Sequence, residues 1–147
     1  MPRWRGFDNP FGDIYTNLDS IIIDARSHPD NMYYVYTTDN PAKYGDTVAD
    51  IANMKLAGLE VPEDGKIKQF DLGTTGEIIP KVVGGSSTTY KCDNNYAYNG
   101  NESLRKLLIG GDVLSGSSAG FCNFNSHYDF DSTNLNSRAG FRTVNVL

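Results

Sequence analysis

Side chains able to do covalent or acid–base chemistry are sparse in this sequence. It holds two cysteines, Cys92 and Cys122, and two histidines, His28 and His127. Neither histidine stands at a recognisable catalytic spacing from a serine, a cysteine or the other histidine, so a nucleophile–base pair is not indicated. Two cysteines are too few for a disulfide framework and lack the spacing of a metal site. They read as two isolated buried thiols, with a single bridge between them as the alternative. Gly84-Gly85-Ser86-Ser87 has the glycines of a phosphate loop but no lysine following at the right place, so a turn is the simpler reading. No catalytic residue and no cofactor is expected.

Non-covalent chemistry is better supplied. From Cys122 to Asp131 the residues alternate in character. Cys122, Phe124, Ser126, Tyr128 and Phe130 fall on one side, and Asn123, Asn125, His127, Asp129 and Asp131 on the other. A period of two belongs to a strand with one face buried and one turned to solvent. The second set offers donors and acceptors that suit sugar hydroxyls or a polar protein surface. Ser115 and Ser117 just upstream, with Tyr96 and Tyr98, complete the candidate ligand-binding set, tyrosine giving contact area at low entropy cost. An ordinary solvent-facing side of a sheet is the competing reading. Asp129, Asp131, Ser132 and Asn134 are oxygen donors of the kind calcium takes. Acidic strand ends are ordinarily just solvated, and no metal is expected.

The elements that must position these groups are unevenly marked. Asn9 is a good N-cap, Pro10 fits the first helical position, and Phe11, Ile14, Tyr15 and Leu18 follow at helical spacing, which predicts an N-terminal helix. Ile21-Ile22-Ile23 predicts a short buried strand ended by Asp24, and Met32 to Thr37 a second one between turn-forming clusters. Residues 46–54 suit one or two helical turns, and Lys66 to Leu72 a strand. Gly73 to Gly100 reads as a long loop. Leu104 to Ile109 predicts a strand closing on Gly110-Gly111, and Arg138 to Val146 a final one. No repeat or linker interrupts the chain, so a single domain over 1–147 is expected.

Composition narrows the partners. The net charge of −5 argues against nucleic acid and anionic membranes, which call for clustered Lys and Arg. No apolar run reaches the roughly 18 residues of a membrane helix, so no membrane insertion is expected. The opening Met1-Pro2-Arg3-Trp4-Arg5-Gly6 has no apolar signal core, so no Sec-type leader is expected.

Several segments carry a resemblance. Phe11-Gly12-Asp13-Ile14-Tyr15 resembles the "G-N-V-W-E-W" helix of formylglycine-generating-enzyme-like domains, which have a C-type-lectin-like core. Leu107 to Asp112 and Ala139-Gly140-Phe141-Arg142 resemble that superfamily's "V-L-R-G-G-S" and "G-F-R" strands, in the same order. Phage structural proteins of gut bacteria are similar over more of the chain. Their "R-G-x-x-N-P-F-G" opening matches Arg5 to Gly12, and their "G-G-S-S-T-x-Y-x-C-D" segment matches Gly84 to Asp93. The resemblance implies an α+β domain with a C-type-lectin-like fold: an N-terminal helix, a twisted antiparallel sheet from the C-terminal half, and long loops. Catalytic members carry a cysteine pair shortly after the Gly-Gly. Ser115 and Gly120 stand there instead, so thiol or copper chemistry is not implied. The calcium-binding signatures "E-P-N" and "W-N-D" of lectins with this fold are also missing.

What the resemblance does imply is a non-catalytic module of a bacteriophage virion, in a tail, a fibre or on the capsid. It would recognise a host-surface glycan or protein, as a homo-oligomer (a trimer) alongside other virion proteins. Some phage relatives vary the segment before the last strand, which maps onto Ser115 to Asn136. Two alternatives stay open: a purely structural virion protein that mediates assembly contacts, and a bacterial surface lectin.

Overall fold

A computed structural model describes residues 3–4, 7–8, 15–45, 47–86, 88, 93–97, 103–112, 114–116, 120–127 and 139–140. Two short strands, β1 (Arg3–Trp4) and β2 (Phe7–Asp8), pair antiparallel with each other. Everything else is organised by one sheet. Its strands are β3 (Tyr15–Asp24), β4 (Tyr33–Thr37), β5 (Lys55–Glu60), β6 (Gly65–Leu72), β7 (Ile78–Val83), β8 (Asn94–Tyr96), β9 (Leu104–Gly110), β10 (Gly120–Asn125) and β11 (Ala139–Gly140).

The spatial order is β5-β4-β3-β9-β10-β8-β6-β7, with β11 beside the start of β3. Pairing is antiparallel except between β10 and β8 and between β11 and β3. The path curls until its two ends meet. Val61 N, just past β5, donates to Pro80 O at 3.0 Å, and Thr74 N donates to Ala57 O at 2.9 Å. A side chain at position 58 would bring its Cβ within 2.7 Å of Ile79 Cδ1, so Gly58 leaves room for the Ile79 side chain at the seam. Pro80 is tolerated because β7 is a terminal strand, with no full ladder on its outer side. The result is a nearly closed barrel in a mostly β protein.

Alternation sorts side chains between the two faces. Ile23, Val35, Ile67, Ile79, Leu107 and Phe124, from six strands, converge in the main core and so face inward. Ile22 and Leu104, one and three places before Ile23 and Leu107, face outward. They are covered by Ile51 of the short helix α1 (Val48–Ile51). Thr47 caps that helix: its N–H and hydroxyl both donate to Asp50 Oδ2, at 3.0 and 2.6 Å. Among the described residues no helix is long and apolar enough to cross a membrane.

The expected α+β architecture with a C-type-lectin-like fold is therefore overturned. Tyr15 and Leu18, read as one face of an N-terminal helix, lie on β3; residues 9–14 of that helix fall outside the described residues. Their helical spacing is outweighed by non-local pairing, because Thr16 and Asn17 bond to Ile109 and Leu108 of β9. The sheet is not confined to the C-terminal half, since β3 to β6 supply four of its strands. The supposed loop 73–100 contains β7 and β8. Its Pro, Gly and Asn residues suit a seam strand and a three-residue strand as well as they suit turns.

Candidate functional site

A groove of about 240 Å³ runs over the outer wall of the barrel. It is lined by Tyr15 at the start of β3, Tyr96 at the end of β8, Asn125 at the end of β10 and His127 two residues on. Asp112, Leu114 and Ser115, from the turn after β9, close its other side. The strand register explains the grouping. Phe124 pairs with Asn95 and Asn125 with Tyr96. Phe124 is in the inner core, so Asn125 and Tyr96, one place along, project outward together.

The Asp112 turn is tightly bonded. Asp112 Oδ1 accepts from Leu114 N at 3.0 Å and from Ser115 Oγ at 2.8 Å, while Asp112 N donates to Ser115 Oγ at 3.0 Å. A hydroxyl has one proton and two acceptor sites. With its proton on Asp112, Ser115 accepts at its second site from the Tyr15 hydroxyl, 3.1 Å away. Ser115 is thus a structural pin, with no imidazole taking its proton. Across the groove, Asn125 Oδ1 accepts from His127 N at 3.0 Å, which fixes the amide rotamer. The walls present two phenols, an imidazole, an amide and a carboxylate, a mixture that suits hydrogen bonding to a polar ligand.

Beneath the groove lies a buried polar knot. Ser126 N donates to Tyr96 O at 2.9 Å, and Ser126 Oγ donates to Glu60 Oε1 at 2.7 Å. Glu60 is 0% exposed, and burial pushes its carboxyl up to about 8 against the opposing hydrogen bond from Ser126. Asn95 Nδ2 donates to Val61 O and Glu63 O at 3.1 and 3.0 Å. Arg105, 1% exposed, donates through Nη1 to His127 O at 2.9 Å. Tyr33 pairs with Glu60 across β4 and β5, and burial raises its phenol, Glu60 adding to the shift. The backbone carrying Tyr96 and His127 is therefore held from inside the barrel.

Of the sequence-predicted ligand residues, Tyr96, Ser115, Asn125 and His127 come together in this groove. Asn123 does not join them. It is fully buried and donates through Nδ2 to Gly110 O at 2.9 Å, because β10 bulges between Gly120 and Phe124 and breaks the alternation there. Ser117, Tyr98 and Asp129 fall outside the described residues, as do Asp131, Ser132 and Asn134 of the calcium set. Cys122 is a half-buried thiol on β10, while Cys92 lies outside the described residues. His28 belongs to a separate cluster. It stacks on Tyr34 with ring centroids 3.9 Å apart and sits 3.4 Å from Asp24, which also takes two 2.7 Å bonds from Arg26.

The missed groove residues are Tyr15, Asp112 and Leu114, and the missed supports Glu60, Asn95 and Arg105. One signal was present: Arg105 and Lys106 interrupt the apolar run Leu104 to Ile109, and strand alternation puts Arg105 on the same face as Leu107 and Ile109. Compared with known proteins, the chain matches no family model, no curated protein and no solved structure.

Proposed function

We propose that this chain is a non-catalytic recognition module of a bacteriophage virion, borne on a tail, a fibre or the capsid. Its groove would bind a host-surface glycan or protein. The observation that carries the binding reading is the convergence of Tyr15, Tyr96, Ser115, Asn125 and His127 on one groove whose backbone is fixed from beneath. A preformed polar surface loses little ordering entropy when a ligand docks. The virion assignment draws on the ordered segments Arg5 to Gly12, Gly84 to Asp93 and Ala139 to Arg142. A trimer would multiply weak single-site contacts through avidity.

A purely structural virion role has one observation in its favour. Leu72 and Ile78 face each other across β6 and β7 at 74% and 52% exposure, an apolar pair of the kind an assembly contact covers. Solution mass, followed by glycan-array and host-cell binding on the same sample, separates the two. An oligomer that binds, and loses binding at least about tenfold in Asn125→Ala/His127→Ala, supports recognition. A stable oligomer that binds neither glycans nor cells leaves the structural role.

A further inference from the structure

We propose that the barrel interior is a second binding site, independent of the groove, for a neutral small amphiphile: an apolar body of about ten non-hydrogen atoms bearing one hydroxyl or N–H donor. A cavity of about 250 Å³ occupies one half of the barrel. Its walls include Ile21, Val35, Ile79, Leu107, Ile109 and Phe124, from β3, β4, β7, β9 and β10. An apolar cavity of about 150 Å³ stays dry and accepts benzene, so by proportion this one accommodates roughly ten non-hydrogen atoms. Wall atoms facing such a void lack contact partners on that side, and a ligand of matching shape supplies them.

Two polar groups narrow the ligand class. Asn123 lines the cavity and is 0% exposed. Its Nδ2 is committed to Gly110 O, while its Oδ1 has no hydrogen-bond partner among the described residues. A buried acceptor left unmatched is unfavourable, and a ligand donor corrects it. Glu77 stands at the rim, its carboxylate held by the Thr75 hydroxyl, the Thr75 N–H and the Thr37 hydroxyl. Burial acts to raise its pKa, but those bonds together outweigh it and hold the carboxyl below its ordinary value. A fixed anion beside the entrance disfavours fatty carboxylates and leaves neutral hydroxyl compounds as the favoured class. Entry is past Ile78, which is half-exposed at the rim.

The test uses three probes of equal size on the intact chain: 4-propylphenol, 4-propyltoluene, which replaces the hydroxyl by a methyl, and octanoate. Calorimetric or NMR titration is expected to give saturable binding of 4-propylphenol with Kd of roughly 1 mM or below. Octanoate should bind at least about tenfold more weakly. Ile109→Phe fills the cavity and should abolish binding of both neutral probes; Ile21→Phe serves the same purpose if the first variant does not fold. Asn123→Leu should lower the preference for 4-propylphenol over 4-propyltoluene by about three- to tenfold, the value of one hydrogen bond. No binding by the folded wild type up to probe solubility overturns the proposal. So does binding that survives a folded filling variant unchanged, or a preference that Asn123→Leu leaves as it was.

Discussion

The two halves of the barrel interior solve the same packing problem in opposite ways. Along β9, Arg105 lies in the polar knot, whereas Leu107 and Ile109, on the same face, line the cavity. Along β4, Tyr33 faces Glu60 and Val35 lines the cavity. One step of two residues thus separates an interior filled by hydrogen bonds from one bounded by hydrocarbon. The polar half is directional: Ser126 and Arg105 hold the carbonyls of the groove's Tyr96 and His127, while Asn95 holds those of Val61 and Glu63. The apolar half is non-directional and tolerates room. Hydrogen bonding here sets geometry, while hydrocarbon burial sets most of the stability.

The sharpest way to break this contrast is through Glu60. In the folded chain its carboxyl holds a proton up to about pH 8, whereas in the unfolded chain it releases it near its ordinary value of 4.5. Between those values the folded state carries the extra proton, so Glu60 contributes full stability below pH 4.5 and loses it as pH rises to 8. The change is at most about 5 kcal/mol, at 1.36 kcal/mol per unit. Glu60→Gln keeps an oxygen for Ser126 and places N–H donors beside Asn95, whose Oδ1 is otherwise unmatched. Urea unfolding of both proteins between pH 4.5 and 9 should show the wild type weakening relative to the variant. Parallel profiles would mean that Glu60 is ionised in place and the knot is an ion cluster.

Truncation in the apolar half ranks next. Phe124→Ala should lower stability by about 3–4 kcal/mol, because the void it leaves joins an existing cavity and cannot collapse. Ser126→Ala, two residues along on the polar side, should remove about 1–3 kcal/mol by leaving Glu60 Oε1 without its donor. Equal losses at the two positions, measured by the same unfolding titration, would erase the division between a core that stabilises and a knot that orients.

How much of this was legible beforehand follows from the range of the interactions. β4, β6, β9 and α1 are marked by local patterns and appear where those patterns place them. The alternation over Phe124 to His127 is local too, and it carries Asn125 and His127 to the groove. Asn123 departs because a bulge is set by the partner strand, β9, which local periodicity does not register. Tyr15 shows the same limit: its helical spacing is a local signal, but β11 pairs with it, and β9 with the residue after it, from a distance. The barrel seam was least visible of all, since it joins Ala57 and Val61 to Thr74 and Pro80 through backbone groups that carry no side-chain signature.

The finest distinction is between groove and knot, and Tyr15→Phe probes it. The change removes one hydroxyl and leaves the buried ring, so packing is conserved. Ser115 would keep its bonds to Asp112 N and Oδ1 and lose only its second donor. The expected loss is about 0.5–1.5 kcal/mol in denaturant unfolding, with 4-propylphenol binding in the cavity unchanged because no cavity wall is touched. A loss above about 3 kcal/mol would place the Asp112 turn within the cooperative core rather than on its surface. A weakening of ligand binding in the groove beyond the stability change would instead show that the Tyr15 hydroxyl holds Ser115 in its binding position.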